Sequence, residues 1–98
     1  MIFERNNYWI KHKGFNIDLT ILETKLIEAL LMHNTQAGAS YDELIYHIYD
    51  IHITEEEYVE YYGNRLRVLI SRLREKGIVI DPVKKYGYKL RTKIGVNK

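Results

Sequence analysis

Three signals for the start of a helix constrain this chain more than any other feature of its sequence. Each is a capping box, a Ser or Thr followed three residues later by Glu: Thr20 with Glu23, Ser40 with Glu43, and Thr54 with Glu57. In a capping box the hydroxyl accepts a backbone N–H of the first helical turn, and the Glu accepts the N–H of the cap residue. Each box precedes a run of apolar residues at helical spacing. The sequence therefore predicts three helices, over about 21–32, 41–49 and 55–76.

Each predicted helix presents one apolar face to a common core. The residues expected on these faces are Leu22, Leu26, Ala29 and Leu30 in the first helix, Leu44, Ile45 and Ile48 in the second, and Val59, Tyr62, Leu66, Leu69, Ile70 and Leu73 in the third. Ile27 and Leu31 are expected at the flanks of the first face. Gly63 interrupts the third run and marks either a kink or the true start of that helix.

Short segments of β-forming residues lie on both sides of the helices. Before them, residues 8–10 and 15–17 predict a hairpin, to which residues 2–3 add a further short strand. After them, residues 78–80 and 88–91 predict a second hairpin. The predicted fold class is therefore α+β.

The length of 98 residues fits one domain. Its expected parts are amino-terminal strands over 1–18, a three-helix core over 20–76, a hairpin over 78–93 and a tail over 94–98. Gly87 is expected to supply the positive φ in the turn of the second hairpin.

Composition excludes several classes of protein. There is no Cys, which excludes disulfides and zinc–thiolate sites. No apolar run approaches the ~20 residues of a membrane-spanning helix, and the first residues lack the apolar region of a signal peptide. The histidines form no ligand pair at helical spacing, and no nucleophile or phosphate-binding motif is present. We therefore expect a cytoplasmic protein that uses no metal, cofactor or membrane and is not an enzyme.

The net charge of +2 conceals a segregated distribution. Residues 19–63 hold one Lys against nine Asp and Glu, a net of −8, whereas residues 64–98 hold eleven Lys and Arg against two carboxylates, a net of +9. A basic block of this kind is typical of proteins that bind polyanions. The alternative interpretation is a solvated surface whose charged blocks mix in space.

The third helix combines basic charge with residue types that read DNA. Opposite its apolar stripe lie Asn64, Arg67, Val68, Ser71, Arg72 and Glu75, with Arg65 and Arg74 on the shoulders of that face. An α-helix fits the major groove of B-DNA, where Arg pairs with guanine, Asn with adenine, and an apolar methyl contacts thymine. A merely solvated face would more often carry balanced Glu and Lys pairs. The pattern favours a DNA-recognition helix over about 64–76.

The hairpin that follows this helix is basic as well. Its candidate contact residues are Lys84, Lys85, Tyr86 and Lys89 within the segment 82–89, followed by Arg91 and Lys93. Lys side chains on a tight hairpin neutralise phosphates, although edge strands also carry Lys as protection against aggregation. Tyr86 either contacts a phosphate or packs on the sheet. We expect this hairpin to grip the backbone or the minor groove beside the helix.

From Leu19 to Leu90 the chain resembles the OmpR/PhoB-type winged-helix DNA-binding domain. The matching motifs, in family order, are Leu19-Thr20-x-x-Glu23-x-x-Leu26 in the first helix, Leu44-Ile45-Tyr46-His47-Ile48-Tyr49 in the second, Val68-x-Ile70-x-Arg72-Leu73-Arg74 in the recognition helix, and Val83-Lys84-x-x-Gly87-Tyr88-Lys89-Leu90 in the wing. Together they span about three quarters of the chain.

This resemblance implies a winged helix-turn-helix fold and a sequence-specific transcriptional regulator that binds double-stranded DNA. It implies that Arg72 and Arg74 touch bases or phosphates, that Lys84 approaches the minor groove, and that Tyr88 packs in the core. Because one such domain covers a small site, binding as a homodimer or in tandem is expected. We expect an autonomous regulator without a receiver domain, of the kind that phages and mobile elements carry.

The sequence departs from the family pattern in three places. Lys85 replaces the first glycine of the wing, and Pro82 stands where Thr is common. The acidic connection between the second and third helices is longer than usual. In the family this connection reaches RNA polymerase, so a polymerase contact is either altered or absent here.

An alternative function uses the acidic, Tyr-rich surface over residues 41–62. The chain would then be a small protein-binding module, for example a phage-type modulator of host RNA polymerase or of a sigma factor. Tyr49 and Tyr62 are expected in the core and the other tyrosines of this segment outside it. DNA binding predicts an affinity that falls steeply with salt, whereas the protein-binding alternative does not.

Overall fold

A computed structural model of the chain describes residues 8–10, 15–16, 19–33, 35–51 and 56–96. In chain order the elements are β1 (Tyr8–Ile10), β2 (Phe15–Asn16), α1 (Ile21–Met32), β3 (Ala39–Ser40), α2 (Tyr41–Tyr49), α3 (Glu56–Glu75), β4 (Ile80–Val83), β5 (Gly87–Leu90) and β6 (Ile94–Val96). The strands form two antiparallel three-stranded sheets, with orders β2-β1-β6 and β3-β5-β4. The predicted α+β class is confirmed, and the layout is compatible with a winged helix-turn-helix.

Capping boxes begin α1 and α2, and both helices have their predicted bounds. At α1 the backbone N–H of Glu23 donates to Thr20 Oγ1 at 3.2 Å, and the N–H of Thr20 donates to Glu23 Oε1 at 3.0 Å. At α2 the same two bonds join Ser40 and Glu43 at 3.1 and 2.8 Å. The third predicted box starts at residue 54, which lies outside the described residues.

The helix α3 runs without interruption through Gly63, which is therefore not its start. It ends in a Schellman motif around Gly77, whose φ is +93°. The N–H of Ile78 donates to Leu73 O at 3.1 Å, and the N–H of Gly77 donates to Arg74 O at 3.0 Å. These bonds stop the helix and turn the chain into β4. None of the helices that the structure describes combines the length and apolar composition needed to cross a membrane.

The core lies where the three helices meet the sheet β3-β5-β4. Its most deeply buried members are Leu26, Ile27, Ala29, Leu30, Leu44, Ile45, Leu66, Ile70, Leu73 and Ile78, with Tyr88 and Leu90 at its border. Ile27, expected at a flank, is fully buried, and Leu22 is only partly buried. The reason is that α1 contacts α2, α3 and β5 together, so its buried face is wider than a single stripe. Tyr49 and Tyr62, both expected inside, are half-buried against the core.

Two strands were not predicted. The two residues of β3 pair with β5, and β6 pairs with β1, where a tail was expected over 94–98. Strands this short carry no alternation of their own and exist because a partner strand lies beside them. The predicted pairing of β1 with β2 is confirmed, with Trp9 opposite Asn16. The strand expected over residues 2–3 lies outside the described residues.

The hairpin of β4 and β5 has a different turn from the one predicted. The positive φ, +60°, belongs to Lys85 rather than to Gly87. Gly87 lies instead in β5, where a Cβ would come within 1.8 Å of Ala39 O on the neighbouring strand β3. Gly87 is thus required for the close approach of two strands. Lys85 occupies the position where the resembled family has glycine, and it adopts the conformation that favours glycine.

Candidate nucleic-acid interface

The outward face of α3 is exposed along its second half. Its buried face is formed by Leu66, Leu69, Ile70 and Leu73, each at most 4% exposed. All seven side chains predicted to contact DNA from this helix are exposed: Asn64, Arg65, Arg67, Val68, Ser71, Arg72 and Arg74. Val68 is an apolar residue that is 49% exposed among them. All seven side chains are therefore open to solvent, as is the acidic Glu75 on the same face.

Arg67 and Arg74 lie on the flank of α3 that faces the sheet. Burial raises the pKa of the Tyr88 hydroxyl, and nearby Tyr41 adds to that rise, whereas the charges of Arg67 and Arg74 act to lower it. Both guanidinium groups are thus close enough to β5 to act on its tyrosine.

Asn64 and Arg67 are joined by a hydrogen bond. Arg67 Nη2 donates to Asn64 Oδ1 across one turn of α3. A guanidinium carries five N–H donors and the Asn amide two more, so the pair keeps donors for a ligand. The hydrogen bond therefore orients the Asn64 and Arg67 side chains, both predicted to read bases, on each other.

Arg65 packs on aromatic rings near the middle of α3. Its guanidinium carbon lies 4.9 Å from the centre of the Tyr61 ring. Hydrogen bonding to the Tyr61 hydroxyl, and then to that of Tyr49, raises the pKa of Arg65. The Tyr62 ring lies 4.9 Å from Tyr49 and 4.8 Å from Tyr61, which completes a cluster of three rings. This cluster fixes the direction of the Arg65 side chain.

Arg74 differs from the other predicted contacts of α3. Its Nε and Nη2 both donate to the carbonyl oxygen of Ile80, at 3.2 and 2.6 Å. The guanidinium is thus engaged with the first residue of β4. A helical periodicity alone placed Arg74 on a shoulder of the recognition face, and no sequence signal indicated this bond.

The turn of the wing exposes Lys84, Lys85 and Tyr86. The N–H of Tyr86 donates to Val83 O at 2.9 Å, which closes the turn, and its ring is 40% exposed. Lys89, also predicted at the site, is half-buried on β5, and its Nζ donates to Gln36 O at 3.3 Å. The structure therefore groups three of the four candidates within 82–89 and directs Lys89 toward the loop before β3. Arg91 Nε donates to Asp81 Oδ2 at 2.6 Å.

Tyr41 lies beside the wing, although it was predicted on the acidic, Tyr-rich surface over residues 41–62. Its N–H donates to Tyr86 O at 2.9 Å, and its ring meets that of Tyr88 edge-to-face, with centroids 5.8 Å apart. Its nearness to the wing follows from the pairing of β3 with β5, which no signal in the sequence indicated.

No group of three or more His, Asp or Glu lies close enough to hold a metal ion in the part of the chain that the structure describes. Two histidines instead bridge α1 and α2. His33 Nδ1 lies 3.3 Å from Glu43 Oε2, and His47 Nε2 lies 3.7 Å from Glu28 Oε1. These pairs join α1 to α2 and involve none of the residues predicted to contact DNA.

Comparison of the chain with protein-family models, with curated proteins and with solved structures finds no match.

Proposed function

We propose that this chain is a sequence-specific transcriptional regulator that binds double-stranded DNA. The observation that carries the proposal is the exposed face of α3, which brings arginines, an asparagine, a serine and an exposed valine together above a fully buried face. Such a mixture of side chains is complementary to the donors, acceptors and methyl groups that the major groove of DNA presents. The resemblance to OmpR/PhoB-type winged-helix domains supports the same function.

In the proposed complex α3 enters the major groove. Arg67, Ser71 and Arg72 read base edges, and Asn64 orients Arg67 through their hydrogen bond. The Val68 methyl groups contact a thymine. A bidentate contact of Arg with guanine is worth roughly 1–3 kcal/mol of discrimination between bases.

The wing contacts the backbone or the minor groove next to α3. Lys84, Lys85 and Tyr86 stand at its exposed turn. Because Lys neutralises phosphates without reading sequence, these residues supply affinity and register rather than specificity. The whole surface works by binding, without an enzymatic step, a metal or a cofactor, and we place the protein in the cytoplasm with its DNA. A homodimer, or tandem copies on repeated half-sites, extends the small footprint of one domain.

Selection of binding sites from random duplexes, at 50 and 200 mM salt, tests the proposal. We expect an enriched motif and an affinity that falls on the order of 10³-fold between the two salt concentrations, because several phosphate contacts release counterions. The double variant Arg67→Ala/Arg72→Ala should lose the motif. The control is Lys25→Ala, which removes a cation at a half-buried position of α1 and should keep the motif. Absence of an enriched motif in the wild-type chain overturns the proposal.

A second candidate function is protein binding through the surface of residues 41–62. The observation that favours it is the exposure of Tyr46 and Tyr61, at 45% and 51%. Exposed tyrosines are enriched in protein interfaces. Binding to purified RNA polymerase or sigma factor that persists at 200 mM salt, and that Tyr46→Ala weakens while Arg72→Ala does not, would favour this candidate over DNA binding.

A further inference from the structure

The last turn of α3 is tied to the wing by a side chain as well as by the chain itself. Arg74 lies in that turn, and two of its N–H groups converge on one oxygen, that of Ile80 at the start of β4. Hydrogen bonds with a charged donor are shorter and stronger than neutral ones. The 2.6 Å distance from Nη2 fits that class.

The segment between these two residues is short and already ordered. The Schellman bonds of Gly77 and Ile78 fix where the backbone leaves α3. The bonds of Arg74 then fix where β4 begins. Backbone and side chain together set the angle between α3 and the outer strand of the sheet β3-β5-β4.

The other arginines of α3 make contacts of a different kind. Arg67 bonds to Asn64 within the same helix, and Arg65 packs on the ring of Tyr61, also within it. Those contacts orient a side chain on the helix surface. The contact of Arg74 orients a neighbouring structural element.

We propose that Arg74 is a positioning residue that fixes the wing relative to the recognition helix, and so sets the distance between the major-groove contact and the wing contact on one duplex. This inference rests on the DNA binding proposed above. It assigns Arg74 a role different from base or phosphate contact. The planar fork of the guanidinium is needed, because a lysine has no second N–H in the same plane to reach the carbonyl.

Hydrogen exchange in the free protein tests the mechanical part of this inference without DNA. The variant Arg74→Gln should speed exchange of the Tyr86 amide about tenfold relative to wild type, the effect of losing a charge-assisted hydrogen bond that holds the hairpin. The amides of α1 should be unchanged. The control is Arg72→Gln, the same substitution two residues earlier in the helix, which should leave Tyr86 as in wild type.

Duplexes of two lengths test the spacing. Shortening the selected site on the wing side should lower wild-type affinity at least tenfold, because phosphates of the wing contact are lost. Arg74→Gln should lose much less on this shortening, since its wing is no longer held over those phosphates. Arg72→Gln should bind both duplexes more weakly and keep the wild-type ratio between them. If Arg74→Gln does not fold, Arg74→Lys replaces it in both measurements.

The two measurements separate the inference from the proposed function. Equal Tyr86 exchange in the Arg74 and Arg72 variants shows that Arg74 does not hold the wing. Equal sensitivity of both variants to duplex length shows that it does not set the spacing. If the wild-type chain has no salt-dependent affinity for duplexes, the proposed function and the spacing role fall together, and the exchange experiment still decides whether Arg74 holds the wing.

Discussion

Lys76 Nζ lies 2.5 Å from Glu23 Oε1 and joins the end of α3 to the start of α1. The same carboxylate oxygen accepts the backbone N–H of Thr20, so it serves the capping box and the ion pair at once. The side chain of Glu23 is only 2% exposed, and that of Lys76 is 33% exposed. A charge that is buried in this way has to be paired, because an unpaired one destabilises the folded state.

Glu23→Gln should destabilise the protein at neutral pH. Burial acts to raise the pKa of the Glu23 carboxyl, but the hydrogen bond from Lys76, that from Thr20 and the charges of Lys76 and Arg72 together hold it below its ordinary value. The ionised carboxylate therefore contributes stability above the unfolded-state pKa of about 4.5, and this is lost as the pH falls through the lower folded-state value. We expect a loss of about 1–3 kcal/mol at pH 7, measured by urea unfolding.

The matching residue of the second capping box gives the control for this prediction. Glu43→Gln changes the same position of α2, but the Glu43 side chain is 39% exposed. Its loss at pH 7 should be smaller, about 1 kcal/mol or less. The difference in free energy of unfolding between wild type and Glu23→Gln should narrow as the pH falls below about 4.5. A gap that stays constant down to pH 3 would show that ionisation of Glu23 is not its source.

Lys85→Gly should stabilise the fold while it weakens DNA binding. The left-handed conformation of Lys85 costs a residue with a side chain about 1–2 kcal/mol. Glycine avoids this cost but loses more conformational entropy on folding, which offsets about 0.5–1 kcal/mol of the gain. A net gain of up to about 1 kcal/mol is expected in thermal or urea unfolding. Loss of one phosphate contact should reduce the salt slope of binding by about 0.9.

Lys84→Gly isolates the effect of conformation from that of charge. Lys84 precedes Lys85 in the same exposed turn but does not have a positive φ. Its replacement removes an equal charge and should destabilise the hairpin. Glycine relieves no backbone strain at this position, but it increases the conformational entropy of the unfolded chain. Equal stabilities of the two variants would show that the φ of Lys85 carries no strain.

Gly87→Ala should disrupt the sheet β3-β5-β4. The new methyl group would meet the backbone oxygen of Ala39 at 1.8 Å, and a backbone oxygen cannot move aside as a flexible side chain can. We expect a loss of about 3 kcal/mol or more in urea unfolding. Gly63→Ala is the matched control, since nothing lies within 4 Å of its added Cβ, and the better helix propensity of Ala should add about 0.5–1 kcal/mol. Similar losses in both variants would contradict the close strand approach.

Substitutions of Asn64 and Arg67 should weaken DNA binding by amounts that do not add. Because the amide oxygen of Asn64 accepts from Arg67, removing either residue also removes the effect of their contact. Binding of Asn64→Ala, Arg67→Ala and the double variant to the selected site should give a coupling free energy of about 0.5–3 kcal/mol. Losses that simply add would show that Asn64 does not orient Arg67 in the complex.

The helices were predicted well because their signals are local. A capping box such as that of Thr20 or Ser40 specifies the first turn through bonds between residues three apart, and the sequence shows both partners. The strands β3 and β6 were not predicted because each exists through pairing with a strand far away in the chain. The role of Gly87 was missed for the same reason, since the atom that excludes a side chain there belongs to Ala39.

The candidate site was only partly predictable from helical spacing. The angle around α3 indicates which side chains leave the core, and the exposure of Val68 and Ser71 agrees with it. Spacing does not show where a long side chain ends. The guanidinium of Arg74 reaches Ile80, and the amine of Lys89 reaches Gln36, through tertiary contacts that the sequence does not display.

The pairing of β1 with β6 places Tyr8 opposite Val96, so the first and the last strand of the described fold lie side by side. A domain with adjacent ends can be inserted into a loop of another protein without stretching the backbone of its host. The ends can equally be linked to each other and new ends opened elsewhere, for example in the exposed loop over residues 35–37. Residues 8–96 therefore form a unit suited to circular permutation and to insertion into a host protein.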